Sequence, residues 1–315
     1  MLLVTGGAGF IGSHLAERLL ASGRDVVIVD NFDDFYPRGV KERNLEAVRS
    51  AGDVALEEGD IRDAAFLRRV FRDHQVEAVI HLAAMTGVRP SLAEPLLYED
   101  VNVGGTLAVL EAMRAAGVAK MVFGSSSSVY GNYHEVPFRE TAKLDRPVSP
   151  YAATKKAAEL FCSTYHHLHG MDITCLRLFT VFGARQRPDL AIHKFARMIL
   201  NGETIPVFGD GTSERDYTHV SDIVDGIVRA LDRLDGFDIF NLGNSHPVPL
   251  AGLIEIIEGA VGAPASIERL PDQPGDVART CADITHAKEA LGYEPKVTLA
   301  DGVREFVAWY RKEMM

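Results

Sequence analysis

The chain has 315 residues, 47% of them hydrophobic and 24% charged, with 33 basic against 44 acidic side chains and a formal net charge of −11. This balance excludes disordered and collagen-like classes and argues against a nucleic-acid or acidic-membrane binder, while leaving room for a local basic pocket around a phosphate. The length predicts two lobes. No apolar run approaches the ~18 residues that would span a bilayer. Three cysteines, Cys162, Cys175 and Cys281, are odd in number and widely spaced, which predicts reduced thiols and a cytoplasmic protein. The N-terminus opens directly into Met1-Leu2-Leu3-Val4-Thr5-Gly6, without the features of a leader.

In chain order, continuous apolar runs at 2–4, 26–29, 54–56, 78–80 and 121–123 predict strands apolar on both faces, as in a buried parallel sheet. Helical patterns at 13–22, 64–74 and 101–116 alternate with them, which implies right-handed βαβ units. A sixth strand is expected at 173–178. Denser loop signals follow at Gly183, Pro188, Gly202, Pro206 and Gly209-Asp210-Gly211, and then a helix at 221–234 and a strand at 237–242. The expected architecture is α/β. A Rossmann-type doubly wound parallel sheet occupies 1–178 plus about 217–245, and a smaller, discontinuous α/β substrate-binding domain occupies about 179–216 and 246–315.

The first strand runs into Thr5-Gly6-Gly7-Ala8-Gly9-Phe10-Ile11-Gly12 and then a helix. Glycines there allow a tight turn and let backbone N–H groups approach a pyrophosphate at a helix N-terminus, where the dipole favours anions. The second strand ends in Asp30, whose carboxylate suits two ribose hydroxyls and repels a 2′-phosphate, so NAD is expected over NADP. Asp60-Ile61 after the third strand and Leu82-Ala83-Ala84 after the fourth are candidates for the adenine and the rest of the dinucleotide, though both also read as ordinary strand ends.

Tyr151 and Lys155 stand four apart on a predicted helix and therefore share a face. An ammonium beside a phenol favours the phenolate, making Tyr151 a candidate general base. The preceding strand ends in Ser125-Ser126-Ser127-Ser128, at the sheet edge where ligands bind in such folds. His166-His167-Leu168-His169 reads as a polar helix end, since no carboxylate or thiol set completes a metal site.

Together these motifs resemble the extended short-chain dehydrogenase/reductase family, and within it the nucleotide-sugar 4-epimerases, over almost the whole chain. Further matches are His81-Leu82-Ala83-Ala84, Asn102-Val103-Gly104-Gly105-Thr106, Leu176-Arg177-Leu178-Phe179-Thr180, Arg215-Asp216-Tyr217 and Pro274-Gly275-Asp276. The resemblance implies that Ser126, Tyr151 and Lys155 carry the chemistry. It also implies that Gly6, Gly9, Phe10, Ile11, Gly12, Asp30, Asn31 and Asn102 belong to the NAD site. The implied reaction passes through a 4-keto sugar whose opposite face is then reduced. Dehydratases of the family carry Asp-Glu directly after the catalytic Ser or Thr, and decarboxylases keep the Glu. This chain has Ser127 and Ser128 there, which counts against both.

The segments 30–36 and 179–189 look most like the UDP-glucuronate 4-epimerases, and Thr180 replaces the Asn typical of galactose-type enzymes. Arg187 and Thr180, with Ser127 or Ser128, are expected to hold a C6 carboxylate, because an Arg fork matches a carboxylate. The competing reading gives Arg185 and Arg187 to the diphosphate or to loop salt bridges. By resemblance Arg215 meets the diphosphate, Asp276 the nucleotide ribose, Val207-Phe208 the uracil, and Arg279 or Arg89 further phosphate charge. The expected partners are a UDP-sugar and a second copy of the chain, paired through helices 101–116 and 151–170. The rivals are a UDP-glucose/UDP-galactose or N-acetylhexosamine epimerase, a dehydratase, decarboxylase or reductase of the same family, and a non-catalytic NAD-binding protein.

Overall fold

Strands that are apolar on both faces need cover on both sides, and that requirement organises the molecule. A computed structural model describes residues 1–271 and 277–315. β1 (Leu2–Thr5), β2 (Val26–Asp30), β3 (Ala55–Glu58), β4 (Ala78–His81), β5 (Lys120–Ser126) and β6 (Asp172–Leu178) run parallel. After the short β7 (Thr180–Phe182), β8 (Ile205–Phe208) and β9 (Glu214–His219), β10 (Phe237–Leu242) joins the same sheet beside β6. The strand order is β10-β6-β5-β4-β1-β2-β3. Its direction reverses between β1 and β4, which opens a crevice at their C-terminal ends.

Leu2, Val4, Val26, Ile28 and Ile80 face one core, and Leu3, Val27, Val29 and Val79 the other. The first is covered by α1 (Phe10–Ala21), α2 (Arg38–Ala51) and, from later in the chain, Val220–Asp232. The second is covered by α3 (Ala64–His74), α6 (Gly105–Ala116) and α7 (Pro150–His169). Before α6 lie α4 (Val88–Ala93), α5 (Pro95–Glu99) and a π-helical turn, Asp100–Gly104, so the single helix expected at 101–116 begins with an irregular turn. The sequence pattern also missed α2. Its buried stripe is Lys41, Asn44, Leu45 and Val48, half of it polar, so it lacks an apolar signature.

The remaining chain forms α8 (Ala191–Leu200), α9 (Val220–Asp232), β11 (Pro247–Pro249), α10 (Leu250–Val261), β12 (Ile267–Leu270), α11 (Thr285–Leu291) and α12 (Leu299–Glu313). Two small sheets, β11-β9-β7 and β12-β8, pack with α8, α10 and α12 around a third core that includes Phe182, Phe195, Leu253 and Phe306. No helix of the described residues is long and apolar enough to cross a membrane.

One polar network ties the site-bearing elements together. Glu159 on α7 and Arg177 on β6, each side chain 1% exposed, pair through two bonds of 2.9 Å. Glu159 also accepts from Ser125 Oγ at 2.7 Å and Lys156 Nζ at 3.0 Å. Arg177 Nη1 donates to the Tyr130 hydroxyl at 3.0 Å, which donates in turn to Asn241 Oδ1 on β10 at 2.7 Å. Removing one partner strands a buried charge. Arg177→Met is therefore expected to lower the unfolding free energy by about 3–5 kcal/mol, and pairing it with Glu159→Leu to recover part of the loss. Urea denaturation measures both. Equal stability of wild type and Arg177→Met contradicts this assignment.

Candidate active site

At the C-terminal ends of β1, β2, β4 and β5 lies a cavity of about 480 Å³, running from the glycine loop to Tyr151 and Lys155. Gly6, at φ +70°, is the close-approach point: an added Cβ would lie 2.8 Å from the Ala83 backbone N. A Cβ on Gly12 would collide with the Gly6 carbonyl, so the loop folds tightly against the start of α1. Gly9 is the N-cap of α1, whose first turn carries no acidic side chain. With Phe10 and Ile11, these glycines form one end of the cavity wall.

Asp30 also lines the cavity, but it has local partners. Its carboxylate accepts from Ala8 N at 3.2 Å, Phe32 N at 2.9 Å and Lys41 Nζ at 3.1 Å. Lys41 thus offsets part of the charge on the carboxylate expected to disfavour a 2′-phosphate. Lys41, buried and lining the cavity, went unnoticed in the sequence because its helix did. Asn31 donates to Asp60 at 3.2 Å, and the Arg62 guanidinium holds the Asp60 carboxyl down to about 2. Asn31, Asp60, Ile61, Leu82, Ala83 and Ala84 all reach the cavity. Asn102 is not in its lining. Its amide closes on the backbone of Met85 (2.8 and 3.0 Å) and on Thr154 Oγ1 (3.1 Å), so it positions the segment after β4 from the π-helical turn.

The three candidate catalytic side chains come together. Ser126 ends β5, and its Oγ accepts from Ser128 N at 3.1 Å while donating to Ser128 Oγ at 3.1 Å. Ser149 caps α7 through Ala152 N, and Pro150 starts the helix, placing Tyr151 in its first turn and Lys155 one turn on. Tyr151 and Ser126 both line the cavity. Burial pushes the phenol upward, and the neighbouring Ser126 hydroxyl and the Arg187 charge oppose that push. Lys155 follows one turn later on the same face of α7. Its Nζ lies 4.4 Å over the Phe123 ring, and burial lowers it to about 8. Beside it His81, held between Thr5 Oγ1 and Thr106 Oγ1 at 2.6 and 3.1 Å, is lowered to about 3 by burial and the Lys155 charge and so stays neutral.

Ser127, Ser128, Thr180 and Arg187 line the same cavity. Arg187 Nε and Nη2 meet Asp189 at 3.0 and 2.9 Å, Nη1 donates to Thr86 Oγ1, and the guanidinium lies 5.3 Å from the Phe35 ring. Arg185, at φ +63°, turns the other way into a salt bridge with Glu17 of α1 at 2.7 Å. Arg215 lines a smaller adjoining cavity of about 150 Å³ that shares Ser127, Ser128 and Thr180 with the first. Arg89 stacks 4.8 Å from the Phe208 ring, and Arg279 pairs with Glu214 at 2.7 Å. Val207, expected near the uracil, points into the third core because alternation along β8 turns it inward. Asp276 lies outside the described residues. Among the described residues no cluster of His, Cys, Asp and Glu could hold a metal.

The profile of the family described as GDP-mannose 4,6 dehydratase matches residues 3–306. A UDP-glucuronate 4-epimerase of Thermodesulfobacterium geofontis is 42% identical over 313 residues, covering 99% of this chain and 96% of that protein. The crystal structure of UDP-glucuronic acid 4-epimerase from Bacillus cereus, in complex with UDP-glucuronic acid and NAD, superposes with a TM-score of 0.93 at 34% identity, covering 99% of each chain. That of UDP-glucose 4-epimerase from Thermotoga maritima, with UDP-glucose, gives 0.92 at 33%, covering 100% of this chain and 99% of that one.

Burial alone should keep Tyr151 protonated in the dinucleotide-free protein. A near-ultraviolet titration, read as wild type minus Tyr151→Phe, is expected to show this phenol ionising above its ordinary value of 10.0. Phenolate from Tyr151 at neutral pH in that protein would contradict the assignment.

Proposed function

The chain belongs to the NAD-dependent nucleotide-sugar epimerase and dehydratase family, and within it we propose a UDP-glucuronate 4-epimerase that interconverts UDP-glucuronate and UDP-galacturonate. The observation that carries the uronate reading is the set Arg187, Thr180, Ser127 and Ser128 in the wall of the cavity that also holds Tyr151. An Arg fork with neighbouring hydroxyls suits a C6 carboxylate. Held there, the carboxylate of a 4-keto uronate is kept from the orientation that releases CO₂. Serines in place of the Asp and Glu of the dehydratases leave no carboxylic acid beside Ser126 to eliminate water.

NAD fits the cavity. Gly6, Gly9 and Gly12 line it at the N-terminus of α1, Asp30 and Asp60 bring carboxylate oxygens to it that suit ribose hydroxyls, and the groove ends at Lys155. When bound, NAD supplies the acceptor and return donor of the C4 hydride. Tyr151 Oη takes the proton from the sugar 4-hydroxyl and returns it, Ser126 Oγ hydrogen-bonds the same oxygen, and Lys155 Nζ holds the nicotinamide ribose. Arg215, in the smaller cavity with Thr280, is assigned to the diphosphate. In this reading 1–178 with about 217–245 binds NAD, while about 179–216 and 246–315 bind the sugar nucleotide. Two chains pair through α6 and α7, the latter presenting Leu160 and Leu168 to solvent at 59% and 63% exposure. UDP-glucose/UDP-galactose is the second reading, favoured by one observation: Asp189 occupies the Arg187 fork.

Purified protein, expected to sediment at twice the chain mass, should convert UDP-glucuronate to an isomer of unchanged mass, resolved by chromatography. Arg187→Ala should reduce kcat/KM for UDP-glucuronate by about tenfold to a hundredfold and that for UDP-glucose far less. Equal losses on both sugars contradict the carboxylate clamp, loss of water or CO₂ contradicts epimerisation, and a monomer contradicts the pairing.

A further inference from the structure

Resting on the uronate reading above, we propose that Asp189 is a built-in competitor for the substrate carboxylate, a specificity-determining residue that acts through Arg187. A guanidinium offers a carboxylate two forked edges, one formed by Nε and Nη2 and the other by Nη1 and Nη2. In this structure Asp189 takes the first with both of its oxygens, at 3.0 and 2.9 Å, and Thr86 Oγ1 accepts from Nη1 on the second. A sugar carboxylate therefore gains a full fork on Arg187 by displacing one of these partners.

The local geometry selects Asp189 as the partner that leaves. The Asp189 side chain is 42% exposed and returns readily to water, whereas that of Arg187 is 16% exposed, lies against the Phe35 ring and is held by Thr86. The pairing is also preorganised. Pro188 fixes the backbone between the two residues, and Arg185, two positions earlier, fastens the loop to α1 through Glu17. Arg187 can thus stay where it is while its anionic partner is exchanged.

Two consequences follow from charge. With a neutral hexose in the cavity, Asp189 stays on the fork and the Arg187 charge is balanced. With a uronate, the sugar carboxylate takes over and Asp189 is hydrated, so part of the attraction is offset by the broken pair. Asp189 thereby narrows the preference for the acidic sugar.

Dissociation constants of UDP-glucuronate and UDP-glucose on the NAD-loaded enzyme test this, in wild type, Asp189→Asn, Asp189→Ser, Arg187→Ala and the double variant Arg187→Ala/Asp189→Asn. Both Asp189 variants are expected to bind UDP-glucuronate about threefold to tenfold more tightly, and UDP-glucose within about twofold of wild type. In the Arg187→Ala background, Asp189→Asn is expected to change neither. Unchanged or weaker UDP-glucuronate binding in the Asp189 variants overturns the proposal. Parallel weakening for both sugars shows that Asp189 only holds the loop in place. Should Arg187→Ala weaken both sugars equally, the carboxylate clamp itself fails and the competition with it. Selective loss in Arg187→Ala with no gain in the Asp189 variants sinks the competition alone.

Discussion

Burying the Glu159–Arg177 ion pair is costly unless every polar atom around it is satisfied, and the site is built over that requirement. Tyr151, Lys155 and Glu159 follow one another at i, i+4 and i+8 and share a face of α7. The third is locked to β6 by Arg177 and to β5 by Ser125, so the first two are presented to the cavity at a fixed height. Ser126, next to Ser125, is held by the same strand. Tyr130 and Asn241 extend the network to β10, joining the edge of the sheet to the helix. Any slip of α7 along the sheet would separate Tyr151 from Ser126, and the network resists that slip.

Burial has a second effect, on proton affinities. It raises the Tyr151 phenol and lowers Lys155 and His81, so desolvation works against charge at the reactive end of the pocket. A base at Tyr151 therefore needs further positive charge, and the Arg187 guanidinium already contributes some. A cationic nicotinamide beside the phenol would add more of the same sign. Cofactor and a base at Tyr151 would then be electrostatically coupled, because burial by itself disfavours the phenolate.

Much of this was legible in the sequence because its causes are local. The doubly buried run Leu2-Leu3-Val4, the spacing from Gly6 to Gly12, and the interval between Tyr151 and Lys155 each encode a short-range geometry. The parts that stayed hidden depend on tertiary context. Lys41 lies on a helix whose buried stripe is half polar because one of its members neutralises Asp30, so no hydrophobic period marks it. Asn102 resembles a cofactor ligand by motif, yet the π-helical turn directs its amide to the Met85 backbone. Arg185 and Arg187 stand two apart in a loop, and the left-handed backbone at Arg185 sends them to opposite partners, Glu17 and Asp189. Thr86 and Phe35 join the Arg187 site from loops far away in sequence, with no pattern to announce them.

The proposed function requires one cavity to remove and return hydrogen at C4 of a UDP-uronate without loss of any other atom. It is tested most directly by following UDP-glucuronate carrying deuterium at C4 by NMR, with wild-type protein and with Tyr151→Phe. UDP-galacturonate is expected to form with the deuterium still at C4, and Tyr151→Phe to form almost none. Exchange of the label with water, a product lacking CO₂, or undiminished turnover by Tyr151→Phe would contradict it.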